Sequence, residues 1–147
     1  MRHRWAALTI VLALCGLPMV LSAQTSSRAA GPGRLGQNYP NPFNPETRIR
    51  FAVGDSACAN PGRQYRVTMR VYNVLSQVVA VPVLQGGTGN VAGGQPLENV
   101  LLTCSQYTAY WDGKYIGTSQ EVASGVYLYQ LVIDGKVVES RRMLVTK

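Results

Sequence analysis

Apolar and polar residues alternate in several short stretches of this chain. From Thr47 to Val53, Ile49, Phe51 and Val53 fall on one face and Arg48 and Arg50 on the other, the period-2 pattern of a half-buried strand. Gln64 to Asn73 repeats it, with Tyr65, Val67, Met69 and Val71 set against Arg66, Thr68, Arg70 and Tyr72. Val78 to Leu84 (VVAVPVL) predicts another strand, and Pro82, which has no N–H to give a ladder, confines at least its second half to an edge. Leu97 to Cys104 (LENVLLTC) fits a strand or a single helical turn, because its apolar run is too short for the period to decide. Alternation returns over Ser105 to Trp111, with Tyr107, Ala109 and Trp111 on one face. It returns again over Val126 to Ile133, where Tyr127, Tyr129, Leu131 and Ile133 face the core. Asp134-Gly135 is a type I′ hairpin signal, since glycine supplies positive φ freely and aspartate tolerates it. The last strand then runs from Lys136 to Thr146. Arg141 and Arg142 break its alternation and predict a bulge near them.

Between these stretches, Gly54–Gly62 and Gly86–Gly94 are dense in turn residues and read as loops. Nothing in the chain has a convincing helical period. Short strands separated by turns roughly every eight to twelve residues predict an all-β antiparallel β-sandwich of about seven strands. The first strand has an unusual approach. Asn38 to Pro45 (NYPNPFNP) carries Pro40, Pro42 and Pro45, which exclude a central strand and hold the segment stiff, while Asn41 and Asn44 can bond back onto the backbone. Phe43 is its one large apolar anchor.

The amino end changes the picture of where the protein works. Arg2, His3 and Arg4 precede an unbroken apolar stretch from Trp5 to Leu17 and small residues at Ser22 and Ala23, the pattern of a signal peptide over residues 1–23. The stretch is shorter than the roughly 20 residues needed to span a bilayer as an anchor. Residues 24–36 are small, polar and rich in Gly and Pro, a disordered spacer, and residues 37–147 form one sandwich domain. Processing leaves twelve of the 14 Lys and Arg residues against seven acids, a net charge of about +5. The arginines are scattered and not interleaved with aromatics on one element, so nucleic acid is not an expected partner, whereas an anionic cell-surface glycan is compatible with the charge. Cys58 and Cys104, the cysteines left in an oxidising compartment, are expected to pair as a disulfide.

Catalytic chemistry finds little support. His3 lies in the signal peptide, a disulfide leaves no thiolate, the acids are dispersed, and no glycine-rich loop joins a strand to a helix. The expectation is a chain without catalytic residues, cofactor or metal site, acting as a monomer and not as an enzyme. Tyr110 and Tyr115 are the aromatics expected to be exposed and able to stack on a ligand. Trp111, Tyr127 and Tyr129 belong to the core by their phase.

In order along the chain stand LGQNYPNPFNPETRIRF, RVTMRVYNVLSQVV, YWDG, ASGVYLYQL and RRMLVTK. Over roughly Leu35 to Lys147 this series resembles the Ig-like C-terminal sorting domain of type IX secretion and the related Ig-like module of flagellar hook-capping proteins. The resemblance implies an Ig-like sandwich, exported by its signal peptide to the periplasm. From there an outer-membrane secretion translocon, or another cell-surface protein, recognises it and brings it to the surface or the medium. The family pattern falls on Pro40, Asn41, Pro42 and Phe43, on Tyr72 and Asn73, on Trp111, Asp112 and Gly113, on Gly125, Val126 and Tyr127, and on Lys147. Family members run over a short hairpin from the strand near Leu84 to the one before Trp111, whereas Gln85 to Cys104 intervenes here. Without a sorting role, the same sandwich reads as a small extracellular structural or binding module.

Overall fold

Alternation becomes strand throughout the computed structural model, which describes residues 31–86 and 93–147. The signal peptide and most of the spacer lie outside the described residues. Among the described residues nine strands follow one another: β1 (Gly33–Tyr39), β2 (Thr47–Val53), β3 (Gln64–Tyr72), β4 (Val78–Ala80), β5 (Val83–Gln85), β6 (Val100–Thr103), β7 (Ser105–Trp111), β8 (Gly125–Ile133) and β9 (Lys136–Val145). They form two antiparallel sheets. One has the order β1-β2-β7-β5, and the other β4-β3-β8-β9, with β6 also pairing on β3. The inward phases of β2 and β7 (Ile49, Phe51, Tyr107, Ala109, Trp111) meet those of β3 and β8 (Val67, Met69, Tyr129, Leu131, Ile133), all buried. The all-β, two-sheet expectation holds.

Three details differ from the sequence reading. Strand β1 begins at Gly33, inside the stretch read as spacer, because Leu35 is buried and Arg34 and Leu35 pair with Ala52 and Phe51. The run VVAVPVL is two edge strands in different sheets: β4 pairs with β3, β5 pairs with β7, and the chain crosses the core at Val81-Pro82. Pro82 therefore ends one ladder before the other begins, as its missing N–H requires. Within Leu97–Cys104, Val100–Thr103 is a strand, β6, whose Leu102 fills the core. These divisions bring the strands to nine instead of about seven.

The hairpin at Asp134-Gly135 has φ of 51° and 76°, the positive values a type I′ turn needs. The register shift in its ladder sets Leu131 opposite Glu139 and Val132 opposite Val137, so the bulged residue is Val138 and not one of the arginine pair. The extra residue resets the phase. Arg141 then falls on the side of Glu139 and Met143, and Arg142 faces outward.

Candidate recognition surface

The residues that carry the resemblance come from five separated segments, and the fold gathers them at one end of the sandwich. Phe43, at the middle of the proline segment, docks on the free edge of β9. Its N–H donates to the Leu144 carbonyl at 3.0 Å, its carbonyl accepts from the Thr146 N–H at 3.0 Å, and the Asn41 side-chain oxygen accepts from the Leu144 N–H at 2.9 Å. The three X-Pro bonds of the segment are cis. A one-residue parallel bridge thus covers the part of the edge strand that would otherwise offer unpaired main-chain groups. The Phe43 ring is buried against Trp111 at a centroid distance of 5.4 Å, and Trp111 meets the edge of Tyr127 at 5.9 Å. These tilted and edge-on arrangements are the ones the ring quadrupole favours.

Several of the other motif residues brace this end of the sandwich. Trp111 donates its indole N–H to the Lys114 carbonyl at 3.0 Å, and Asp112 Oδ1 accepts the Lys114 N–H at 3.1 Å. Gly113 sits at φ 73°, and a Cβ there would lie 2.1 Å from the Pro45 carbonyl oxygen. Only glycine lets the turn after β7 close against the proline segment. Tyr127 donates its hydroxyl to the Ala123 carbonyl, four residues upstream, at 3.0 Å. Lys147 donates its N–H to Ser124 Oγ and pairs its ammonium with Glu121, pinning the end of β9 to the loop before β8. Asn73 cages its own turn, its Oδ1 accepting the Leu75 and Gln77 N–H groups at 3.0 Å each. Pro40, Asn41, Pro42, Val126 and Lys147 remain exposed, whereas Phe43, Trp111, Gly113 and Tyr127 are buried.

The aromatics expected to be free are engaged. Tyr110 donates its hydroxyl to Glu46 at 2.6 Å, with the Arg48 guanidinium 5.9 Å from its ring centre, and Tyr115 packs against the core. Among the described residues the exposed aromatic is Tyr39, at 80%. A polar centre that sequence reasoning missed lies at the kink of β1. There the Tyr129 hydroxyl donates to the Gly36 carbonyl at 2.8 Å and accepts the Asn38 N–H at 3.0 Å. The Asn38 amide in turn bonds the buried Thr47 hydroxyl and the Pro40 carbonyl. Burial raises the Tyr129 and Tyr127 hydroxyl pKa values above the usual tyrosine range, and the bond to Glu46 raises that of Tyr110. Cys58 and Cys104 form the expected disulfide, with Cα atoms 5.6 Å apart, tying the β2–β3 loop to the junction of β6 and β7.

No family model and no curated protein matches the chain. Among solved structures, an alkylpurine DNA glycosylase of Pseudomonas fluorescens, bound to DNA containing an abasic-site analogue, is similar at a TM-score of 0.48 and 10% identity. The match covers 79% of this chain and 31% of that one, so the chain spans less than a third of that protein's length. The sequence-based expectation that this chain is not an enzyme does not stand beside that match, because the matched structure is an enzyme's. At this degree of likeness the match assigns no activity, no DNA contact and no site residue to this chain.

Proposed function

We propose that this chain is an exported Ig-like sandwich that serves as a sorting or surface-attachment domain, read by outer-membrane secretion machinery. The observation that carries the reading is the convergence just described. Segments far apart in sequence, matching the motifs of sorting-type domains, meet at one end and hold the last strand in a defined place. The Ig-like assignment is supported by the Tyr127 hydroxyl bonded to a carbonyl shortly upstream of its own strand, the tyrosine-corner arrangement of such sandwiches. The recognised elements are then the outward side chains of that end, Val126 and Leu144 beside each other on β8 and β9, and the Lys147 terminus.

The test is localisation of the full chain in a bacterium with type IX secretion. Deleting Met143–Lys147 is uninformative, since it removes the buried Met143 and Val145 and with them the fold. Two surface variants are suited instead: Val126→Ser with Leu144→Ser, and Lys147→Ala. With thermal unfolding unchanged, both are expected to leave the protein in the periplasm. Arrival of both at the surface at the unmodified level would refute the sorting role and favour an extracellular binding module.

A further inference from the structure

Charge pairing in this protein is uneven. Among the described residues every acid except Asp55 lies in an ion pair, and Arg34, Arg50, Arg66, Lys136 and Arg142 are the cations left without one. Arg34 and Arg50 share the outer face of β1 and β2, where Arg34 pairs with Ala52, Ala52 with Gln106, and Arg50 with Thr108. That face is concave. A cleft of about 600 Å³ opens beside both arginines, running from Gln106 over β1 to Glu139 and Arg141 on β9. A second cleft of about 220 Å³ continues it across β7 to Gln85, sharing Arg50 and Gln106.

The cleft exists because β1 carries no side chain where it passes Arg50. A Cβ on Gly36 would stand 2.8 Å from the Arg50 carbonyl oxygen, so backbone lies flush against backbone there. The acid on the wall, Glu139, is already committed. It pairs with Arg141 at 2.8 Å and accepts the Leu35 N–H at 3.1 Å. Arg141 Nε remains buried without a hydrogen-bond partner, an open donor on the wall. The groove therefore presents two unneutralised guanidinium groups at the heads of two cross-strand rows, Arg34–Ala52–Gln106 and Arg50–Thr108–Gln85, which continue in amide and hydroxyl side chains. Guanidinium forks suit carboxylates, and amides and hydroxyls suit the ring hydroxyls of sugars.

We propose that this groove binds an acidic polysaccharide, with Arg34 and Arg50 holding carboxylates of successive or alternate sugar units and Gln106 and Thr108, on the next strand, bonding hydroxyls beside them. The site lies on the outer face of the β1-β2-β7-β5 sheet and does not depend on the sorting role. The full chain is titrated onto immobilised polygalacturonate, with neutral dextran as reference. Binding to polygalacturonate and not to dextran is expected, falling as salt rises. The double variant Arg34→Gln, Arg50→Gln is expected to weaken it about tenfold or more, while Arg66→Gln, Lys136→Gln, which removes the same charge elsewhere, changes it less than about twofold. Equal losses in the two double variants would reduce the effect to net charge and overturn the proposal. So would equal retention on dextran, or competition by single-stranded DNA at a charge concentration no higher than that of free polygalacturonate.

Discussion

Replacing Gly113 by alanine probes the contact on which the gathered end of the sandwich rests. Gly113 has φ 73° and no room for a Cβ, which would sit 2.1 Å from the Pro45 carbonyl oxygen. Gly135 is the matched control, with φ 76° and nothing within 4 Å of the same position. Left-handed backbone costs alanine about 1–2 kcal/mol, and Gly135→Ala is expected to lose that much and no more. Gly113→Ala bears the same cost and also drives Pro45 away. Pro45 cannot move without disturbing Phe43, whose two main-chain bonds to β9 contribute about 0.5–1.5 kcal/mol each. Removing the buried Phe43 ring altogether would cost about 3–5 kcal/mol, so the partial displacement forced here adds a share of that. The expected total for Gly113→Ala is about 3–5 kcal/mol, a large part of the 5–15 kcal/mol typical of a domain. Urea unfolding followed by tryptophan fluorescence reads both variants, because Trp111 rests on Phe43. Equal losses at the two glycines would refute the reasoning, since the proline segment would then contribute nothing to holding the fold.

Phe43→Ala should lower stability by about 3–5 kcal/mol, whereas Tyr39→Ala, four residues earlier and 80% exposed, should stay within about 0.5 kcal/mol in the same urea titration. Converting both Cys58 and Cys104 to serine should cost about 2–4 kcal/mol, the chain-entropy expectation for a bridge between residues 46 apart, read as a lower urea midpoint than that of the oxidised protein. Burial lifts the folded-state pKa of Tyr129 above the unfolded value of 10.0, so its share of stability is present below pH 10 and is lost as pH climbs through the folded value. Stability should accordingly fall above pH 10, and Tyr129→Phe should flatten that fall while lowering stability near neutrality; a steep alkaline loss of unchanged size in the variant would remove Tyr129 as its cause.

Local pattern carried much of the fold. The alternation of Ile49, Phe51 and Val53, and of Tyr127, Tyr129, Leu131 and Ile133, is the burial pattern observed, because a period-2 strand buried on one face leaves no other register. Where the pattern is silent, a different force decides. Strand β1 hides behind Gly33 and Gly36, whose composition resembles a linker and whose pairing depends on β2 being in place. VVAVPVL looks continuous, and no local rule tells that its halves join opposite sheets. The bulge was expected from the arginine pair, yet it lies at Val138, where the ladder absorbs one surplus residue. The candidate surface was legible as a set of residues and not as an arrangement. Nothing in the spacing of the proline segment says that Asn41 and Phe43 seek Leu144 and Thr146.

That pairing joins groups 103 positions apart. A chain synthesised amino end first presents Phe43 long before its partners, and loop closure over such a span comes late. Until the final strand emerges, the aromatic ring has no seat and the last ladder has no rail. The fold thus closes late, and its completed shape depends on β9 reaching the proline segment.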